Sequence, residues 1–343
     1  MRITVLSGGV GGARFLRGLV NNRPDDDITV VANTGDDIWL FGLKICPDLD
    51  SIMYTLGGGI DEQRGWGRRD ETWHTKAELH AYGVAPEWFG LGDKDLATHI
   101  VRTQMIGSGY SLSAVTEALC ARWQPGVRLL PMSDDRVETH VVIDEPAAPD
   151  GLMAIHFQEY WVRLHAAVPA RAVTAVGAAE ARAAPGVVEA IADADVVLFA
   201  PSNPVVSIGT ILEIAEIRVA VATTAAPVVG LSPIVGSGPV HGMADAMLHA
   251  IGVEVSAAAV AVHYGARHRG STSGGGVIDG WLVHTSDADQ LEPIESAGVA
   301  ARAVPLLMNN IASTAQMAKE ALDLAVGLSS EATGTGRELG EDR

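Results

Sequence analysis

Residues 7–14 read Ser-Gly-Gly-Val-Gly-Gly-Ala-Arg and follow directly on the apolar run Ile3-Thr4-Val5-Leu6. Glycines this dense between a strand and a helix restrict the local fold more than any other stretch of the chain. Glycine accepts positive φ and lets the backbone approach another group closely. A helix over 11–20 would aim its free N–H groups and its dipole back at an anion held in the turn. The dinucleotide fingerprint GxGxxG does not fit, because Gly9, Gly11 and Gly12 match it only if the third glycine is displaced by two residues. The Walker pattern fails too, since no Gly-Lys-Ser/Thr follows. Gly8, Gly9, Gly11, Gly12 and Arg14 are therefore candidate phosphate-binding residues. The plain alternative is a turn that needs glycine for packing alone.

A chain of 343 residues with 48% hydrophobic and 19% charged residues can bury a large core in one or two domains. The net charge of −18 argues against nucleic acid and against an anionic membrane surface as partners. It is compatible with a phosphorylated ligand if N–H groups or a divalent metal supply local positive charge. Cys46 and Cys120 have no metal-ligand spacing and form no disulfide framework. No apolar run reaches the ~18 residues of a spanning helix. No signal peptide precedes the first strand, so a cytoplasmic protein is expected.

The pattern along the chain predicts strands at 2–6 and 28–32 around the helix 11–20, with an acidic loop at 24–27. Helical patterns follow at 75–82, 93–106 and 111–123, then short strands at 128–130, 137–143 and 152–158. An Ala-rich helical stretch (177–193) leads to strands at 195–199 and 227–231. A helix at 242–251, strands at 259–263 and 280–284, and a helix at 311–327 follow. Strands alternating with helices imply an α/β, Rossmann-like doubly wound fold with a mostly parallel sheet. The expected organisation is an α/β core (1–50 and 126–327), a largely helical insertion (51–125) and a disordered tail (328–343). In such sheets ligands sit beyond the carboxyl ends of the strands, where strand order reverses. That rule gathers the loops after residues 6, 32, 200 and 231 on one rim.

The rim loops carry the chemistry. Asp36 and Asp37 end Asn33-Thr34-Gly35-Asp36-Asp37, and Asp48 and Asp50 follow in Pro47-Asp48-Leu49-Asp50. Four carboxylates within fifteen residues make a hard-ligand set suited to Mg²⁺, which takes one or two carboxylates and completes its shell with water and phosphate oxygens. In an extended segment Asp48 and Asp50 would share a face. The bland alternative is helix capping by Asp36 and Asp48. Asp93 before a helix is equally a site residue or an N-cap. Ser202 and Asn203 stand between two prolines at a strand end, presented to the rim or closing an Asx turn. Trp66, Trp73 and Trp88 could wall a flat ring or serve as core. The scattered His74, His99 and His140 have no zinc spacing, and no nucleophile-elbow motif frames a serine. An NAD-dependent oxidoreductase would need an acidic residue where Asn33 stands.

These motifs together resemble the 2-phospho-L-lactate transferases of coenzyme F-420 biosynthesis. The resemblance runs over about residues 1–327, through GGVGGAR (8–14), NTGDD (33–37), CPDLD (46–50) and LGDKDLATH (91–99), then LPMSDD (130–135), HFQEYWV (156–162), APSNPVVSIG (200–209) and LSPIVG (231–236). MYTLGGGID (53–61) and RGWG (64–67) look most like the actinobacterial branch. The resemblance implies transfer of phosphoenolpyruvate from enolpyruvyl-diphospho-guanosine to the ribityl hydroxyl of a deazaflavin, with GMP leaving and dehydro-F-420-0 formed. A lactyl donor, as in archaeal relatives, and a non-catalytic nucleotide-sugar-binding regulator are the alternatives. It implies that the glycine turn holds the diphosphate, with Ser202, Asn203 and Ser232 facing the nucleotide. Asp50 would hold the acceptor hydroxyl or take its proton, with Asp93 and Trp73 also in the acceptor site. Asp37, Asp48 and Asp50 would hold Mg²⁺. The expected partners are the guanosine-diphosphate-linked donor and the deazaflavin acceptor, with no nucleic acid or membrane, in an assembly that could be a homodimer.

Overall fold

The structure is a computed structural model that describes residues 1–267 and 275–334. The first strand β1 (Arg2–Ser7) enters helix α1 (Gly9–Asn22), and β2 (Asp27–Ala32) follows. Next come a hairpin of β3 (Ile38–Leu40) and β4 (Leu43–Ile45) and four helices, α2 (Pro47–Leu56), α3 (His74–Ala81), α4 (Asp93–Gly107) and α5 (Leu112–Trp123). Strand β5 (Arg128–Pro131) then precedes three antiparallel strands, β6 (Glu138–Asp144), β7 (Leu152–His156) and β8 (Ala170–Val176). Helix α6 (Val187–Ala192) leads to β9 (Val196–Phe199), helices α7 (Ile208–Glu213) and α8 (Ala215–Thr223), and β10 (Val228–Leu231). A small ribbon of β11 (Ile234–Val235) and β12 (Gly238–Pro239) precedes α9 (Ala244–Ala250) and α10 (Ala257–Tyr264). The described chain ends with β13 (Gly280–His284), α11 (Leu291–Ser296), β14 (Ala300–Val304) and α12 (Ile311–Gly334).

Seven strands form one parallel sheet in the order β14-β13-β10-β9-β1-β2-β5. Alternate residues along each strand feed opposite cores, as a period of two requires. Ile3, Val5, Val30, Leu198 and Leu282 pack toward α1, α2, α5 and α12. Leu6, Val31, Phe199 and Trp281 pack toward α7, α8 and α10. Both faces are thus covered, which explains why the strands read as unbroken apolar runs. Strand order runs outward through β2 and β5, then returns to β9 on the other side of β1. The reversal therefore falls between β1 and β9, where the loops carrying Gly8 and Ser202 meet.

The sequence expectation was α/β and doubly wound, and the sheet bears it out. Individual elements differ. Residues 259–263 are not a strand but part of α10, where Ser256 caps the helix by accepting from the Ala259 N–H at 3.1 Å and alanine favours helix. Of the stretch 177–193 only Val187–Ala192 is helical, because Pro185 and Gly186 interrupt it. The expected tail does not begin at 328: α12 continues to Gly334, and the rest of that expectation lies outside the described residues. Strands β8 and β14 were not foreseen; both are Ala-rich and half exposed, and carry little of the strand signal. Residues 51–125 do form helices, yet Leu112, Val115 and Leu119 of α5 join the same core as Ile3 and Val5.

Candidate active site

The glycine turn sits at the reversal point. The Gly8 N–H donates to Ser202 Oγ at 3.0 Å, and the Ser202 hydroxyl donates back to the Gly8 carbonyl at 2.7 Å. Gly9 has φ of +61°, a conformation that disfavours a side chain. A Cβ on Gly8 would lie 2.7 Å from Ser207 Cβ and 2.8 Å from Asp48 Oδ2, and one on Gly12 would collide with Ser7 and Ser202. Packing therefore accounts for Gly8 and Gly12. Gly11 is more open, with only the Pro201 carbonyl at 3.0 Å from a Cβ placed there. The N-cap residue Gly8 has no side chain and no acidic residue lies in the first turn of α1, whose first N–H, of Gly9, bonds the Asp48 carboxyl from α2. Arg14, one turn in, donates from Nη1 to His241 Nε2 at 3.0 Å and so ties α1 to the segment between β12 and α9.

The four carboxylates are all buried. Asp48 Oδ2 accepts from Asn33 Nδ2 at 3.0 Å. Burial pushes the Asp48 carboxyl up to about 7; hydrogen bonds from Asn33 and the Gly9 backbone only partly offset this, and Asp37 adds to it. Asp36 is raised well above the usual carboxylate range by burial and by Asp48 beside it. Asp37 lies 3.0 Å from Lys44 Nζ on β4. Burial alone would lower the Lys44 ammonium, but Asp37 raises it on balance. The three-stranded sheet props this loop from outside. The Gln158 N–H donates to His156 Nδ1 at 3.1 Å, which puts the ring proton on Nε2, and Nε2–H donates to the Asp37 carbonyl at 3.1 Å. Burial holds His156 near 4, so it stays neutral.

Asp48 and Asp50 do not lie on an extended segment. Pro47 opens α2 at its first position, so both aspartates are helical and point about 200° apart around the axis. Asp48 faces the glycine turn, whereas Asp50 faces α4. There Arg102 Nη2 donates to Asp50 Oδ1, and His99 Nδ1 stands 3.7 Å from Asp50 Oδ2. Burial raises the Asp50 carboxyl, against the pull of Arg102 and His99. Neither aspartate caps α2 with its side chain.

The remaining expected residues divide. Asn203 Oδ1 accepts from the N–H groups of Val205 at 2.9 Å and Val206 at 3.2 Å, an Asx turn. Ser232 Oγ accepts from the Ile234 N–H at 3.1 Å and donates to its carbonyl at 2.8 Å. With Ser202 clamped on Gly8, these three side chains shape the rim loops. Asp93 does cap a helix, though a neighbouring one: Oδ2 accepts from Thr72 Oγ1 at 2.6 Å and His74 N–H at 3.0 Å, and Oδ1 from Thr75 N–H at 2.9 Å. Trp73 meets Trp66 edge-on at 6.3 Å, with the Arg64 guanidinium 5.2 Å from the Trp73 ring. Sequence reasoning missed Lys44, His156 and Arg102. Only Arg102 left a trace, as Asp95, His99 and Arg102 fall at i, i+4 and i+7 on one face of α4.

Buried polar atoms without a partner concentrate here: Ser7 Oγ, Thr34 Oγ1, Asp36 Oδ1, Asp37 Oδ1 and Asp50 Oδ2, while Asp37 Oδ2 is engaged only by the Lys44 ammonium. A native interior leaves few such atoms, and a cluster of them marks a place where a ligand or ion completes the bonding. Among the described residues no group of three or more His, Cys, Asp or Glu is arranged to hold a metal unaided. Hollows of about 550 Å³ beside Arg17 and Arg69 and about 880 Å³ beside α6 and α8 lie away from these carboxylates.

A glycine-built helix start and crowded buried carboxylates meet at the reversal point of a parallel sheet, the place where α/β proteins of this class bind their ligands. Residues 3–317 match the family described as 2-phospho-L-lactate transferase CofD, and the chain belongs to that family of transferases. It is 66% identical over 326 residues to a phosphoenolpyruvate transferase of Streptomyces coelicolor, covering 95% of this chain and 98% of that protein. It is 67% identical over 326 residues to that of Streptomyces avermitilis, with the same coverage of 95% and 98%. It is 58% identical over 338 residues to that of a Mycobacterium species, covering 95% and 99%. Among solved structures, protein BH3568 of Bacillus halodurans superposes with a TM-score of 0.61 at 16% identity, over 94% of this chain and 99% of that one, which shows the shared fold. No described helix is long and apolar enough to cross a membrane.

Proposed function

We propose that the protein transfers the phosphoenolpyruvate moiety of enolpyruvyl-diphospho-5'-guanosine to the ribityl hydroxyl of 7,8-didemethyl-8-hydroxy-5-deazariboflavin, giving dehydro coenzyme F-420-0 and GMP. The observation that carries this reading is the split of the two α2 carboxylates. Asp48 faces the glycine turn, where a diphosphate would sit, and Asp50 faces α4 with one buried oxygen, Oδ2, left without a hydrogen-bond partner. One side of the site thus serves the donor and the other the acceptor. The relatives named above, similar over nearly their whole length, support the same donor group.

In this reading the α1 N–H groups and Gly11 take the diphosphate. The acceptor hydroxyl donates to Asp50 Oδ2 and attacks the phosphorus that bears the enolpyruvyl group. Its proton passes to Asp50 as the new P–O bond forms, and the bridging oxygen leaves with GMP. Such transfer depends on in-line positioning and charge neutralisation. Asp36, Asp37 and Asp48 crowd together with only Asp37 paired to a lysine, which fits a divalent cation, and Asp48 with Asp37 would hold Mg²⁺. When bound, it would offset the negative charge of the diphosphate. Asp50, turned away and paired with Arg102, is left for the acceptor. The deazaflavin ring would lie against the segment carrying Trp73, which Asp93 fixes in place.

The test is incubation of purified protein with deazaflavin, Mg²⁺ and either the enolpyruvyl or the lactyl donor, read by mass spectrometry. The expected product carries the enolpyruvyl group and appears with GMP. Preference for the lactyl donor would overturn the donor assignment, and no product with either would overturn the activity. Chelation with EDTA is expected to abolish turnover and Mg²⁺ to restore it. Full turnover in chelator would remove the metal role from Asp37 and Asp48.

A further inference from the structure

Arg102 is among the most buried side chains of the protein, at 1% exposure. A guanidinium so placed needs its donors matched. Nη2 donates to Asp50 Oδ1, and Nη1 donates to His99 Nδ1 at 3.0 Å and approaches the Lys44 carbonyl at 3.4 Å. Acceptance at Nδ1 puts the His99 proton on Nε2, which faces Asp95 Oδ2 at 3.3 Å. Asp95 Oδ1 accepts from the Tyr54 hydroxyl at 2.6 Å. Helix α4 therefore supplies Asp95, His99 and Arg102 along one face, and α2 supplies Asp50 and Tyr54 one turn apart. The two helices meet here through a polar chain that fixes each member's rotamer. Three of its buried atoms make no hydrogen bond, Arg102 Nε, His99 Nε2 and Asp50 Oδ2, and the last is the one acceptor among them.

We propose that Arg102 is a positioning residue for the transfer reaction, clamping Asp50 Oδ1 so that Oδ2 alone, in one fixed orientation, meets the acceptor hydroxyl. This rests on the reading of Asp50 as the group that receives that hydroxyl. Arg102 itself touches neither substrate. His99, Asp95 and Tyr54 stop the guanidinium from rotating away, and its planar fork holds a carboxylate edge as an ammonium cannot. A carboxylate free to turn would offer either oxygen, at varying distance from the attacking group.

The test compares Arg102→Gln, Asp50→Asn and the double variant in single-turnover reactions, with deazaflavin fluorescence titration and GDP calorimetry on each. Arg102→Gln is expected to slow transfer by about 10²-fold, the scale of a catalytic group misplaced by an ångström. Affinities for deazaflavin and GDP are expected to stay within about threefold. The double variant is expected to be no slower than Asp50→Asn alone, because the arginine acts only through that carboxylate. A normal rate in Arg102→Gln, losses that add in the double variant, or a parallel loss of GDP binding would each overturn the proposal. If Arg102→Gln does not fold, Arg102→Lys and His99→Gln take its place, with the same non-additivity expected and additive losses overturning it. If the wild-type protein itself transfers nothing, the functional reading fails and this proposal with it. A competent wild type beside a competent Arg102 variant sinks this proposal alone.

Discussion

Helix capping explains neither aspartate of α2, and Asp50 has a partner of its own. Its carboxylate makes no helix cap and instead pairs with Arg102. Asp50→Asn keeps an oxygen for Arg102 but removes the charge and the basic site. Single-turnover transfer is expected to fall by roughly 10²–10⁴-fold, the range of a lost general base. GDP affinity, measured by calorimetry, is expected to hold, since Asp50 faces away from the glycine turn. A near-wild-type rate would end its role in proton transfer. Asp48 allows a different test. Its carboxyl keeps its proton up to about 7 when folded and releases it near the usual carboxylate range when unfolded. Between those two values the folded state binds more protons, so this group's contribution to stability falls as pH rises. His156, held near 4, acts in the opposite sense, since the unfolded imidazole gains a proton first as pH falls through the ordinary histidine range. The difference between wild type and Asp48→Asn cancels His156 and reports Asp48 together with its push on Asp36, which acts in the same sense. In EDTA, the Tm of the wild type relative to Asp48→Asn is expected to decline from about pH 4.5 to pH 7. A constant difference across that range would show that Asp48 is not a buried, proton-holding carboxylate.

The turn between β1 and α1 was read from sequence as phosphate-binding or packing, and its crowding differs by position. Gly12 has no room for a side chain, whereas Gly11 stands beside the open start of α1. Gly11→Val is expected to weaken GDP binding about tenfold or more, some 1.4 kcal/mol, with the fold retained. Gly12→Ala is expected to lower Tm instead, because Ser7 or Ser202 must move. Unchanged GDP affinity in Gly11→Val would return the whole turn to packing. Elements with strong local signals were legible: β1, β2, β9 and β10 are Val/Ile-rich runs with glycine or proline at their ends. Residues 259–263 misled because Val260 and Val262 alternate as in a strand, while alanine and the Ser256 cap decide for helix. At the site the carboxylates and the glycine turn were legible, because their residue types are unusual where they stand. Lys44 and His156 were not, since one lies on a three-residue strand and the other on a sheet with no contact to the rim in sequence. The expected shared face of Asp48 and Asp50 failed for a single reason. Pro47 starts α2 ahead of both aspartates, and a helix separates what an extended strand would align.

At the level of the whole molecule, the segment 51–125 was expected to be a largely helical insertion, and its helices do not behave alike. Helix α5 buries Leu112, Val115 and Leu119 against the sheet's own core, and Trp123 at its end packs on Tyr54 of α2 at 4.8 Å. The Arg68 guanidinium covers the Trp123 ring at 4.8 Å and Arg122 lies 4.6 Å from it. Helix α3 has no buried residue, and Asp93 is what secures its start. Local opening free energy follows buried apolar contact, so the two helices belong at opposite ends of the protection scale. In hydrogen exchange read by mass spectrometry, amides of α5 are expected to exchange as slowly as those of α1 and α12, and amides of α3 many times faster. Asp93→Ala is expected to speed exchange over 74–81 further and leave 112–123 unchanged, since the cap it removes serves α3 alone. If α5 exchanged as fast as α3, the whole segment would be a separate unit resting on the core. A slow α5 beside a fast α3 instead gives the acceptor side one rigid wall, α5 packed on the α2 and α4 that carry Asp50 and Arg102, and one wall that can open. Deazaflavin, bound on that side, is then expected to slow exchange in 72–81 and barely alter 112–123.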